Sequence, residues 1–121
     1  MLQQLMLGNT GLSGQLPTAW GSQETFPSII DMDLSSNLLQ GSLPSSWATA
    51  GAFPLLERLT LTNNTLTGTL AVEWGADVLS LPSLQELDLQ ANKLTGILPR
   101  AWGIGFQVRV AVASRLARPA S

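Results

Sequence analysis

Apolar and polar positions along this chain follow a pattern that changes character within each unit. In Leu59 to Trp74, "LTLTNNTLTGTLAVEW", leucine and threonine alternate on both sides of Asn63-Asn64. Taken alone, that alternation predicts two short strands about a two-residue turn. The equivalent stretches "MDLSSNLLQGSLPSSW" and "LDLQANKLTGILPRAW" keep the apolar slots and lose the alternation beyond the asparagine. The hairpin therefore gives way to one coil of a repeat, because a fixed internal period overrides local appearance.

The four tryptophans, Trp20, Trp47, Trp74 and Trp102, mark that period. Aligned on them, "LQQLMLGNTGLSGQLPTAW", "IIDMDLSSNLLQGSLPSSW", "LERLTLTNNTLTGTLAVEW" and "LQELDLQANKLTGILPRAW" share the frame L-x-x-L-x-L-x-x-N-x-L-x-G-x-L-P-x-x-W. Repeats start near 2, 29, 56 and 84, with lead-ins "FPS", "FPL" and "LPS" before the last three. In L-x-x-L-x-L the leucines face inward from a short strand, and successive copies stack at about 4.8 Å into a parallel sheet. No copy buries its leucines alone; the stack does. Asn37, Asn64 and Asn92 stand where the chain leaves the strand, and their amides form a ladder that satisfies turn backbone. Thr10 takes that slot in the first copy, so its turn is expected to be the least well satisfied. Gly14, Gly41, Gly68 and Gly96 permit a tight bend, and Pro17, Pro44 and Pro99 fix φ where no donor is needed, with Ala71 in the third copy. Segments after each Trp, such as "ATAGA" and "GADVLS", leave room for one turn of helix or 3₁₀ on the convex side.

This frame resembles a plant-type leucine-rich repeat, with L-x-G-x-(I/L)-P after the asparagine, over residues 1 to about 103. The period is somewhat longer than the usual plant-type unit. The constant tryptophan is similar to that of green-algal and trypanosomatid repeat proteins. The resemblance implies an α/β solenoid: a right-handed superhelix with a short parallel β-sheet on the concave face and turns or 3₁₀ segments on the convex face. The solenoid is expected over residues 1–105, followed by a non-repeat basic tail or cap strand at 106–121. There Val108, Val110 and Val112 alternate with Arg109 and Ala111, which fits one closing edge strand; the alternative is a non-homologous, disordered tail. Leu2 opens a repeat with no cap before it, so the sequence reads as a piece of a longer repeat protein, aggregation-prone by itself.

Composition narrows the chemistry. Leucine fills 23 of 121 positions, and charged residues make up only 12%. With no cysteine and no histidine, disulfides, thiolate metal ligation and serine- or cysteine-histidine catalysis are excluded. No cofactor or metal is expected. No apolar run approaches the roughly 20 residues needed to span a bilayer, so this chain has no membrane span. Residues 1–99 carry eight acids against Arg58 and Lys93, and residues 100–121 carry four arginines.

Outward strand positions form three columns: Gln4, Asp31, Arg58, Glu86; Met6, Asp33, Thr60, Asp88; and Gly8, Ser35, Thr62, Gln90. The candidate partner-binding residues on this concave face are Asp31, Asp33, Arg58, Thr60, Thr62, Glu86, Asp88 and Gln90. Its acidity suits a protein or peptide ligand of basic character and opposes nucleic acid. The competing reading is a solvated face whose charge pairs each contribute about 0.2–1 kcal/mol. Glycosidase chemistry needs a carboxyl with a raised pKa in a cleft, which an open ladder does not offer. A calcium site from these acids lacks the loop of alternating oxygen ligands. The Trp column reads as core rather than a sugar-stacking platform. A ribbon of Ser13, Gln40, Thr67, Thr95 and Gln15, Ser42, Thr69, Ile97 is too irregular for an ice-binding surface. Asn63-Asn64-Thr65 is an acceptor triplet that makes Asn63 the N-glycosylation candidate if the parent is secreted.

The resulting expectation is a non-enzymatic interaction module, part of a larger receptor-like or secreted protein with an extracellular or membrane-associated address. The alternatives are an intracellular, for example cytoskeletal, scaffold repeat in the cytoplasm, and a truncated fragment without independent activity.

Overall fold

A computed structural model of the chain describes residues 2–74 and 80–96, together with the backbone of Arg109–Ala111. The expectations for Ile97, Pro99, Trp102, the segment 75–79 and the rest of the 106–121 tail fall outside the described residues. The elements are β1 (Gln4–Met6), β2 (Ser13–Gln15), β3 (Asp31–Asp33), β4 (Leu38–Gly41), β5 (Arg58–Thr60), β6 (Thr65–Leu66), β7 (Glu86–Asp88) and β8 (Arg109–Ala111).

Five of these strands form one parallel sheet in the order β1-β3-β5-β7-β8. Its register places Leu5, Met32, Leu59 and Leu87 side by side, with Val110 next in the row. Met32, Leu59 and Leu87 are buried, and so are Leu34, Leu61 and Leu89 two residues on, where the period-2 alternation directs the same face inward. Val110 follows Leu87 after 23 residues rather than 27 or 28, so β8 joins the sheet through a shorter connection.

A second parallel sheet, β2-β4-β6, runs along the adjoining flank and is prolonged by a bridge between Thr69 and Thr95. The frame gave no warning of it. Its strands lie at or beside N-x-L-x-G, where polar side chains and the exposed Leu38 face water and one leucine, Leu39 in β4 and Leu66 in β6, faces the core. Gly14, Gly41, Gly68 and Gly96 all sit between φ +83° and +93°, and this conformation, open mainly to glycine, turns the chain out of this sheet.

Among the described residues the 3₁₀ turns are at Thr18–Trp20 and Ser45–Ala48. They start two residues before the tryptophan rather than after it, which corrects the sequence-based placement for these two coils. The cause is the proline: Pro17 and Pro44, at φ −67° and −72°, start the turn and accept the backbone N–H of Trp20 and Trp47 at 3.2 and 3.3 Å. Trp74 repeats the bond to Ala71 at 3.1 Å, so the turn survives the loss of proline.

Of the described tryptophans, two lie in the core and Trp20 packs against it. Trp47 and Trp74 are fully buried, and their rings stack at 6.0 Å and 8°, with Trp20 on Trp47 at 6.1 Å and 17°. Each buried indole N–H reaches the preceding coil, Trp47 Nε1 donating to the Pro17 carbonyl and Trp74 Nε1 to that of Pro44, both at 2.8 Å. A side chain this large thus fills the convex core without an orphaned donor. Phe26 and Phe53 form a second stack beside it at 6.0 Å.

Candidate functional site

The five-stranded face is built from the outward residues of L-x-x-L-x-L. Register sets Gln4, Asp31, Arg58, Glu86 and Arg109 in one row, and Met6, Asp33, Thr60, Asp88 and Ala111 in the next. Gly8, Ser35, Thr62 and Gln90 follow two residues on, still within the hydrogen-bonded ladder: Asn9 N–H donates to Ser35, Ser36 N–H to Thr62 and Asn63 N–H to Gln90. The eight candidate residues from Asp31 to Gln90 are therefore brought onto a single surface.

Its charges are not equivalent. Arg58 Nε donates to Asp31 Oδ2 at 3.1 Å, with the arginine half exposed, and among the described residues this is the one ion pair. Glu86 stands in register between Arg58 and Arg109. Exposure limits the Arg58–Asp31 pair to about 1 kcal/mol or less. Asp33 and Asp88 do something the columns did not show: Asp33 Oδ1 accepts the N–H of Ser35 at 2.9 Å, and Asp88 Oδ1 that of Gln90 at 3.3 Å. Each carboxylate closes an Asx turn at the end of its strand. An Asp two residues before a polar turn position was the available signal.

Beyond this face the backbone turns a corner. Asn9, Ser36, Asn63 and Ala91 all lie in the left-handed region, at φ 55° to 57°. Their identities vary so much that the sequence alone does not mark the slot. The next residue points inward. Asn37, Asn64 and Asn92 are buried, and each amide nitrogen donates to three carbonyls, two in its own coil and one in the preceding coil. Each Oδ1 accepts a backbone N–H at the start of the preceding coil's second-sheet segment, from Leu12, Leu39 and Leu66 respectively, at 3.0 Å. The asparagine thus ties two coils and two sheets together at one point. Thr10 Oγ1 donates to the Leu7 carbonyl at 2.7 Å and reaches Asn37 Oδ1 at 3.3 Å, while Asn37 donates back to Leu7 and accepts the Thr10 N–H. The first turn is served by its neighbour together with its own side chain.

The polar ribbon lies on the second sheet. Gln15, Gln40, Gly41, Thr65, Thr67 and Lys93 line a shallow, open groove of about 380 Å³ there. Among the described residues no group of three or more His, Cys, Asp or Glu gathers to hold a metal. No described helix is long and apolar enough to cross a membrane.

The Leucine Rich Repeat family profile matches residues 83–103. No curated protein sequence matches the chain. Solved structures do. The ectodomain of the Arabidopsis receptor kinase HAESA, in complex with an N-terminally extended IDA peptide hormone ligand, is 28% identical at a TM-score of 0.74, covering 93% of this chain and 18% of that one. The BIR3–SERK2 complex from Arabidopsis thaliana is 28% identical at a TM-score of 0.72, covering 94% of this chain and 55% of that one. The plant peptide hormone receptor RGFR1, in complex with RGF2, shares the fold at 24% identity and a TM-score of 0.75, and the chain spans 17% of its length. Repeat frame, paired parallel sheets, asparagine ladder and these likenesses agree: the chain has the plant-type leucine-rich-repeat fold.

Proposed function

We propose that this chain is a protein-interaction module whose five-stranded face takes a protein or peptide partner of basic character, within an extracellular, receptor-like parent. The observation that carries the reading is the charge on that face. Asp31, Asp33, Glu86 and Asp88 stand in register on a rigid ladder, against two basic positions, Arg58, which is engaged with Asp31, and Arg109 on the edge strand. A surface of fixed backbone and one dominant sign steers and orients an oppositely charged ligand more than it adds raw affinity. The address and the partner class are supported by the ectodomains and hormone complexes to which the chain is similar. No enzymatic step is proposed, since among the described residues no buried titratable pair or nucleophile faces this surface.

The test uses Asp33→Asn with Asp88→Asn. Asparagine keeps the Oδ1 acceptor of each Asx turn and removes only the charge, so the strand ends stay closed. Partner capture from an extract and binding to immobilised lysine- and arginine-rich peptides should both fall at least tenfold, with a weaker deficit at high salt. Recovery equal to that of the native chain would overturn the assignment.

A further inference from the structure

We infer that Asn63 is an acceptor for an N-linked oligosaccharide and that Asn64 beside it is not. The triplet Asn63-Asn64-Thr65 has a permitted middle residue and names Asn63, since Asn64 has Leu66 rather than Ser or Thr two residues on. The geometry agrees and shows which of the two is open to a sugar. Asn63 is exposed, at φ 57° on the outer side of the corner, and its amide nitrogen donates only a long bond of 3.3 Å to Ser36 Oγ. Asn64 is buried, its amide nitrogen donates to the carbonyls of Leu34, Leu61 and Thr62 at 3.1 to 3.2 Å, and its Oδ1 accepts the Leu39 N–H. A nitrogen enclosed by three carbonyls has neither a line of approach nor room for a sugar.

The transfer itself is balanced by a lipid-pyrophosphate-linked oligosaccharide as donor. Asn63 Nδ2 forms a bond to the anomeric carbon, the bond from that carbon to the pyrophosphate oxygen breaks, and the lipid pyrophosphate leaves with the electron pair. One amide proton passes to a base of the transferase. On the protein side the step costs only the contact to Ser36. The glycan then stands next to Thr62, at the rim where the first sheet turns toward the second, in the slot shared by Asn9, Ser36 and Ala91. It screens that rim at the third coil and leaves the row of Asp31, Arg58 and Glu86, at the opposite end of the strands, uncovered.

The full chain, placed behind a cleavable secretion signal in a eukaryotic host, is to be read by glycosidase-sensitive mobility and by mass. One glycosidase-sensitive step is expected in the native chain, in Asn64→Gln and in Thr65→Ser, and none in Asn63→Gln. Asn63 is exposed but holds φ 57°, so Asn63→Gln should melt as one cooperative step no more than a few degrees below the deglycosylated native chain, which separates loss of the acceptor from loss of the fold. An unshifted native chain, or a step that survives Asn63→Gln, would overturn the inference. The outcome is independent of whether the strand face binds a basic partner.

Discussion

Trp20 and Trp47 occupy the same slot, each closing a 3₁₀ turn begun by proline, yet Trp47 is fully buried and Trp20 only partly. The same contrast separates Leu5 and Leu7 from Leu59 and Leu61: the first pair is half-buried, the second sealed. Leu2, Met6 and Leu12 in the first coil are exposed outright. The sequence of a coil therefore does not fix its burial. Neighbours on both sides do, as expected where stability is a sum of coil terms and interface terms.

The strongest way to break this comparison is to cut the same side chain from both coils. Trp47→Ala should cost about 3–5 kcal/mol, because it opens a cavity between two stacked rings and removes the indole bond that ties it to the Pro17 carbonyl of the preceding coil. Trp20→Ala should cost roughly half or less, since the site is already partly open to water. Urea titration of the two variants against the native chain measures the difference. Equal losses would mean that each coil holds its own core, and the neighbour argument would fail.

A smaller contrast sits at the asparagine slot. Asn64→Ala removes four hydrogen bonds at once and strands backbone groups of both coils, for an expected loss of about 2–4 kcal/mol. Thr10→Ala removes one hydroxyl shared between Leu7 O and Asn37 Oδ1, both of which keep other bonds, so about 1 kcal/mol or less is expected. Thermal melts of the pair would reverse this order only if the ladder were dispensable.

These two seams show how far residues alone carry the fold. The Trp and Asn slots were legible because one residue type recurs at one spacing, and repetition turns a weak local signal into a strong one. The second sheet was not legible: N-x-L-x-G offers one inward leucine and too little alternation to mark a strand. The 3₁₀ turn was misplaced because its cause, a proline carbonyl accepting the Trp N–H, lies upstream of the residue that drew attention. On the candidate face the columns followed from period-2 geometry. What single residues do there was hidden: Asp33 and Asp88 read as charges, and their turn bonds depend on rotamers that spacing does not reveal.

The corner slot offers a smaller test, of opposite sign. Ala91 holds φ 57° where the equivalent coils place Asn9 and Asn63, residues that tolerate this conformation better. Ala91→Gly should stabilise the chain by about 0.5–1 kcal/mol by relieving left-handed strain. The same exchange at Ser45, in an ordinary turn, should not. A lower melting temperature for Ala91→Gly would show that the fourth coil does not share the corner of the second and third.

The smallest effect on stability bears on function. Asp33→Asn with Asp88→Asn should leave stability within about 0.5 kcal/mol of native, as for surface exchanges that break no named interaction. Asp33→Ala with Asp88→Ala removes both Asx-turn acceptors as well and should cost about 1 kcal/mol. Stability thus reports the turn and binding reports the charge, two roles that one carboxylate holds together. If the Asn pair binds basic peptides as well as the native chain while only the Ala pair loses them, the acids serve strand geometry and the face recognises its partner by shape. If both pairs lose binding alike, the carboxylates are the recognition element, and the difference in their melting curves is the separate contribution of the turns.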